Sequence, residues 1–264
     1  VSTAAQFAPL LADPAGALVA CDYDGTLAHI VDDPDAAVPA PGAVEALQGL
    51  ARRVGHLAVI TGRPAADLVR LGRLERVPGL VVLGLYGRQR WQAGALLAAD
   101  PPPELVAAER AVRGLISRDG PGLRLEHKGA SLAVHSRQAA DPVGGLERVR
   151  PALTEIAREY GLRVSPGRLV LELVPAGVHW SDKGFALEEL AAEVAASCVL
   201  YAGDDVGDLP AFQACARLRS AGATTWSVAA ANDEAPQVAG LADVVVDGPD
   251  GVVALLTALV KLLG

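Results

Sequence analysis

Residues 18–21 form a run of apolar side chains, Leu-Val-Ala-Cys, that is too short for a helix and stops abruptly on Asp22-Tyr23-Asp24-Gly25-Thr26. A short apolar run bounded by turn residues reads as a buried strand. The construction recurs. Residues 56–60 run into Thr61-Gly62-Arg63, and residues 198–202 run into Gly203-Asp204-Asp205-Val206-Gly207-Asp208. Helical segments alternate with these strands. Pro41 opens one with apolar positions Val44, Leu47, Leu50 and Val54, and Pro64 begins another before a strand at 80–85. Strands alternating with helices imply a parallel sheet covered on both faces.

From about residue 101 the pattern changes. Helical stretches at 103–118 and 143–160 alternate with paired strands at 123–126 and 130–135, around Lys128-Gly129, and at 162–164 and 168–174. Ser165-Pro166-Gly167 between the last two reads as a hairpin turn. This α-β-β-α-β-β stretch is a small α+β module. The alternating pattern resumes with a helix at 183–196, the strand at 198–202, pieces at 226–229 and 244–246, and a final helix at 252–263. The fold expected is therefore α/β: a doubly wound parallel-sheet core made of residues 1–97 and 179–264, with an α+β cap, residues 98–178, inserted between its halves.

The chain has 264 residues, 51% hydrophobic and 20% charged, with a net charge of −8. These values suit a soluble globular protein and argue against a disordered chain, a bulk nucleic-acid binder or a cationic membrane-surface protein. Cys21, Cys198 and Cys215 lack C-x-x-C spacing, and two of them sit in apolar runs, so they read as buried thiols in a reducing compartment. No apolar stretch approaches membrane-spanning length, and the first residues lack a signal-peptide pattern. A cytoplasmic location is expected.

In open α/β sheets, ligands bind outside the carboxyl ends of the strands. Asp22/Asp24, Thr61/Arg63 and Asp204/Asp205/Asp208 each follow a strand, so they meet at one edge. Asp22 and Asp24, at i and i+2, leave the same side of an extended chain, and acids this close invite a divalent cation or a shared proton. Hard carboxylate oxygens suit Mg²⁺, and no Cys/His set has zinc-like spacing. A carboxylate facing a phosphate needs positive charge. Lys183, opening a helix just after the cap, supplies it together with the helix N-terminus. The Thr61-Gly62-Arg63 turn offers a hydroxyl and N–H groups to phosphate oxygens.

The order D-Y-D-G-T (22–26), T-G-R (61–63), D-K-G (182–184) and G-D-D-x-x-D (203–208) resembles the haloacid dehalogenase (HAD) superfamily of phosphotransferases, in the branch with a large α+β cap between the second and third motifs. The segments 126–137, 167–175 and 32–36 resemble the trehalose-6-phosphate phosphatase family within it. The resemblance implies an HAD-like fold and Mg²⁺-dependent hydrolysis of trehalose 6-phosphate. It implies Asp22 as nucleophile, Asp24 as general acid and base, Thr61 as phosphoryl ligand and Lys183 as neutralising cation. Mg²⁺ would be bound by Asp22, the Asp24 carbonyl and Asp204, with Asp208 orienting Lys183 or a metal-bound water, and Asp205 divided between the metal's surroundings and structure. Arg63, Lys128, His135, Arg137 and Glu172 would bind the substrate, the last four from the cap. The expected partner is a small sugar phosphate, with no nucleic acid or membrane, and the chain is a monomer or weak dimer. Two places depart from the family pattern at the expected sugar pocket: Gly84-Leu85-Tyr86-Gly87-Arg88-Gln89 stands where many members have Gly-x-His-Gly before a Glu, and Val174 replaces an Arg. Glucosylglycerol phosphate or mannosylglycerate phosphate therefore remains an alternative substrate, and a non-catalytic sugar-phosphate-binding domain is the competing class.

Overall fold

The computed structural model describes residues 3–31, 33–98, 103–127, 131–167, 169–176, 182–232 and 235–264. Two short helices, α1 (Thr3–Gln6) and α2 (Ala8–Ala12), precede strand β1 (Ala17–Cys21). Next come α3 (Ala43–Ala51), β2 (His56–Ile60), α4 (Ala65–Gly72), β3 (Val81–Gly84), and a pair of strands, β4 (Gln89–Gln92) and β5 (Ala95–Ala98). The middle of the chain contains α5 (Pro103–Asp119), β6 (Arg124–His127), β7 (Leu132–His135), α6 (Pro142–Glu159), β8 (Leu162–Gly167) and β9 (Val170–Pro175). The remainder is α7 (Lys183–Glu193), β10 (Cys198–Gly203), α8 (Leu209–Ser220), β11 (Thr224–Ala231), α9 (Pro236–Ala239), β12 (Val244–Asp247) and α10 (Gly248–Leu262). The chain divides into two compact units, Val1–Leu97 with Trp180–Gly264, and Ala98–His179.

The first unit is built on an eight-stranded sheet in the order β12-β11-β10-β1-β2-β3-β4-β5. Strands from β12 to β3 pair in parallel. Both faces are covered, so the side-chain alternation of β1 serves two cores. Ala17, Val19 and Cys21 pack with residues of α3, α4 and α10, whereas Leu18 and Ala20 pack with residues of α7 and α8. The chain runs outward from β1 to β2 and β3, then returns to β10 on the other side of β1. The switch point of the sheet thus lies between β1 and β10, where a crevice opens at the carboxyl ends.

The expected parallel sheet is extended at one edge, where β4 runs antiparallel to β3. Its residues, Gln-Arg-Trp-Gln, are all half-buried and polar enough to hide the strand in the sequence. The helix expected from Pro41 begins at Ala43, because Gly42 takes a left-handed φ of 86°, and it ends before Val54. The helix expected over 183–196 stops at Glu193, ahead of Ala195 with φ 50°.

The second unit has a four-stranded antiparallel sheet, β6-β7-β9-β8, with α5 and α6 packed on one face through Leu132, Val134, Leu171 and Leu173. Period-2 alternation therefore puts Ala133, His135 and Glu172 on the other face. The turn expected at Ser165-Pro166-Gly167 is not there. These residues pair with Glu172, Leu171 and Val170 inside the β8–β9 ladder, and the chain reverses after Gly167, with Leu169 at φ 57°. Pro166 is tolerated because β8 is an edge strand, where a missing N–H leaves no ladder bond unmade.

Candidate active site

The carboxyl ends of β1, β2 and β10 bring together Asp22, Thr61, Lys183, Asp204 and Asp208, all buried. Asp22 follows β1, and its N–H bonds the Ala202 carbonyl of β10 at 2.8 Å. Lys183 is the first residue of α7, whose N-cap, Asp182, accepts the Phe185 N–H at 2.8 Å. Its Nζ lies 2.7 Å from Asp22 Oδ2 and 2.8 Å from Asp208 Oδ1. Burial alone would lower the Lys183 pKa, but Asp22 and Asp208 reverse that and raise it, so the ammonium is kept charged.

Asp208 is held on every side. Oδ1 also accepts the Tyr201 hydroxyl at 2.6 Å, and Oδ2 accepts the N–H groups of Asp204 and Asp205 at 2.9 and 3.1 Å. Burial pushes its pKa up, but Lys183, Tyr201 and the backbone donors bring it below the usual carboxylate value. A carboxylate so fully engaged holds the Lys183 ammonium in one place. Tyr201 was invisible as a site residue in the sequence because it sits inside the apolar run of β10 and reads as core.

Asp22, Asp204 and Asp208 each offer a carboxylate oxygen, and these oxygens lie within 4.8 Å of one another. Asp208 is saturated, which leaves Asp22 and Asp204 for a cation. Thr26 Oγ1 donates to Asp204 Oδ1 at 3.1 Å, and Asn232 Nδ2 reaches Asp204 Oδ2 and its carbonyl, each at 3.1 Å. Burial, then the charges of Asp208 and Asp205, push Asp204 up to about 7. Asp22 is likewise raised, by burial first, against the opposing pull of Lys183. Buried, like-charged hard oxygens in this number fit a divalent metal ion. Asn232 was missed in the sequence because one amide after a strand has no signature.

Two glycines make the crevice possible. Gly25 has φ 78°, and a Cβ there would sit 2.0 Å from an Asp204 oxygen. A Cβ on Gly62 would meet the Tyr86 hydroxyl at 2.7 Å. Tyr86, at φ 60°, donates its N–H to the Thr61 carbonyl, so its turn braces the Thr61-Gly62-Arg63 turn. Thr61 Oγ1 accepts the Arg63 N–H at 3.1 Å.

Asp24 stands apart from the cluster. Both of its oxygens are taken by Arg63, at 2.7 Å each. Asp24, Arg63, Asp204, Asp205 and Asn232 line a cavity of about 280 Å³, together with Ile30 and Val31. Asp205 is largely exposed and only 4.0 Å from Lys183 at its nearer oxygen.

In the second unit, Glu172 bonds Ser131 Oγ, and His135 Nε2 lies 2.7 Å from Glu126 Oε2. Arg137 is exposed after β7. Lys128 lies outside the described residues.

No helix among the described residues is long and apolar enough to cross a membrane. The three cysteines are buried and unpaired.

A profile of the family described as trehalose-phosphatase matches residues 20–249. A trehalose-phosphate phosphatase of Mycobacterium marinum is 41% identical over 208 residues, covering 73% of this chain and 50% of its own length. The chain thus spans about half the length of the curated relatives it matches. Among solved structures, the trehalose-6-phosphate phosphatase of Aspergillus fumigatus superposes with a TM-score of 0.69 at 24% identity, covering 99% of this chain and 98% of that one. A haloacid dehalogenase-like hydrolase from Bacteroides thetaiotaomicron superposes with a TM-score of 0.67 at 18% identity, covering 92% and 98%. These two likenesses bear on the fold, which is that of haloacid dehalogenase-like hydrolases. The match over residues 20–249 and the identity to the mycobacterial enzyme go further, and they make this chain a member of the trehalose-phosphatase family.

Proposed function

We propose that the chain is a Mg²⁺-dependent phosphatase that hydrolyses trehalose 6-phosphate to trehalose and phosphate through an aspartyl-phosphate on Asp22. The observation that carries this reading is the buried Lys183, which holds Asp22 at 2.7 Å beside a second buried acid, Asp204, that accepts from the neutral Thr26 and Asn232. A nucleophilic carboxylate must approach a phosphate dianion, and this arrangement supplies the charge that permits it.

Asp22 Oδ attacks phosphorus while the bond from phosphorus to the sugar oxygen breaks. The leaving sugar oxygen takes a proton from Asp24. Water then attacks the aspartyl-phosphate and gives a proton to Asp24, and the bond from phosphorus to Asp22 breaks. Phosphate leaves, Asp22 is again a carboxylate, and Asp24 is again protonated. Thr61 and the N–H groups of its turn bind phosphoryl oxygens, and Asp208 and Tyr201 fix Lys183. The Asp22 and Asp204 carboxylates and the Asp24 carbonyl oxygen would hold Mg²⁺, which would supply further charge neutralisation at the phosphoryl group.

We assign the sugar to the cap. Residues 98–178 read it through His135, Arg137, Glu172 and Lys128. Polar groups left unpaired by a wrong sugar would cost affinity. The substrate is a free sugar phosphate, and the buried thiols suit the cytoplasm.

The test is phosphate release from a panel of sugar phosphates, with and without Mg²⁺, beside Asp22→Asn. Mg²⁺-dependent release that is fastest from trehalose 6-phosphate and abolished in Asp22→Asn is expected. If another sugar phosphate is hydrolysed faster, the mechanism is kept and the substrate is replaced. If wild type and Asp22→Asn are equally inactive across the panel, the catalytic reading fails.

A further inference from the structure

Among the described residues the Arg63 guanidinium makes three hydrogen bonds, and none is to Asp22, Asp204 or Asp208. Nε and Nη2 meet the two oxygens of Asp24, at 2.7 Å each, in the parallel fork that guanidinium forms best with a carboxylate. Nη1 donates to the Pro34 carbonyl at 2.8 Å. The guanidinium carbon sits 5.9 Å from the centroid of the Tyr23 ring, and Tyr23 is itself pinned by its hydroxyl to the Ala37 carbonyl at 2.7 Å. Arg63 is therefore located from three sides: the turn after β1, the 33–37 segment, and its own turn after β2. Its side chain is 18% exposed, while that of Asp24 is 39% exposed.

We propose that Arg63 is the positioning residue of Asp24: it sets where the Asp24 carboxylate stands in the cavity beside Asp204. The inference rests on the phosphatase reading and deepens it. Asp24 has to meet two different oxygens in one cycle, that of the departing sugar and that of the incoming water. A free aspartate has many rotamers, and a fork anchored to Pro34 and Tyr23 selects one. The fork engages one lone pair on each Asp24 oxygen, so the carboxyl group is held in place while its remaining positions can meet a reacting oxygen. Arg63 thus acts through Asp24, and its loss should cost what mispositioned proton transfer costs.

The experiment is a double-mutant cycle on activity. Wild type, Arg63→Met, Arg63→Lys, Asp24→Asn and Arg63→Met/Asp24→Asn are compared on the preferred sugar phosphate and on aryl phosphates graded by the acidity of the phenol. Arg63→Met should lower kcat by about tenfold or more with KM little changed, and Asp24→Asn by about a hundredfold or more. Arg63→Lys should fall with Arg63→Met, because a lysine keeps the charge and loses the fork. The double variant should be no slower than Asp24→Asn. The dependence of kcat/KM on phenol acidity should steepen in Arg63→Met as it does in Asp24→Asn, because poor leaving groups need the proton most. Multiplying losses in the double variant, a change confined to KM, or an unchanged dependence on leaving group would each overturn the proposal and make Arg63 a direct substrate ligand or a brace for the 33–37 segment. Arg63→Lys keeps the test available if Arg63→Met does not fold. The rates of wild type and Asp22→Asn decide the phosphatase reading by themselves, so the two failures are distinct.

Discussion

The carboxyl edge of the core sheet and the face of the cap sheet that bears His135 and Glu172 both carry charged side chains, but they hold them differently. At the core edge, Asp208 accepts from Lys183, Tyr201 and two backbone N–H groups, and Lys183 is only 5% exposed. On the cap face, His135 and Glu126 share one 2.7 Å contact, with side chains 33% and 46% exposed. A group held by several buried partners has one position before any substrate arrives, which is what charge stabilisation in a transition state requires. A group held by one exposed partner can be rearranged by a ligand at little cost. The core edge fixes its charged groups more tightly than the cap face does, and the two should respond differently to substitution.

The largest expected difference is in stability. Lys183→Met leaves Asp22 and Asp208 buried without their cation, which costs roughly 3–5 kcal/mol when one partner of a buried pair is removed. His135→Ala breaks an exposed pair worth less than about 1 kcal/mol. The chain's three tryptophans all lie outside residues 98–179 in the sequence, so fluorescence-monitored unfolding reports the core. A Lys183→Met protein as stable as wild type would break the comparison, because the network would then not be a buried, interdependent one.

The next difference is kinetic. Tyr201→Phe removes one hydroxyl and one donor to Asp208. A hydrogen bond to a charged group is worth about 1.5–3 kcal/mol, so kcat should fall by roughly tenfold or more while KM stays put. Glu172→Gln in the cap should do the opposite, raising KM for the sugar phosphate about tenfold and leaving hydrolysis of small aryl phosphates unchanged. Equal kcat losses in the two variants would dissolve the distinction between the regions.

The same contrast explains what could be read from the sequence. Strands β1, β2 and β10 are legible because each is a short apolar run ending on turn residues; the acids are legible because they follow those strands, and Lys183 because it opens the helix after the inserted module. The residues that steady them were not. Tyr201 looks like core, and Thr26 and Asn232 are single polar residues whose partners lie 178 and 28 positions away in the chain. The Arg63–Asp24 fork spans 39 residues and has no local signature either. In the cap, Ser165-Pro166-Gly167 has turn composition, yet pairing with β9 overrides it. Local chemistry locates elements and reactive groups; contacts between distant segments decide register and support.

The smallest effect is the most exacting. Asp243 Oδ2 accepts from Arg219 at 2.6 Å and from the Ser227 N–H and hydroxyl at 2.9 and 3.0 Å, tying the end of α8 to β11 and the entry to β12. Burial pushes its pKa up, but Arg219 and Ser227 pull it lower still, below the reference value of 3.8. The unfolded chain therefore holds the Asp243 proton at a higher pH than the folded chain does. The stabilisation is full above that reference value and fades as the pH falls through the folded value. Asp243→Ala should lower core stability by about 1–2 kcal/mol at neutral pH, with the gap to wild type closing in acid. In the cap, Glu147 meets Arg150 on one helix face, with side chains 58% and 37% exposed. Glu147→Ala should change stability by less than about 0.5 kcal/mol and leave the tryptophan-reported transition in place. The two acids differ in the number of partners and in burial, so a gap between the variants that did not close in acid would place the Asp243 effect in packing and not in its charge.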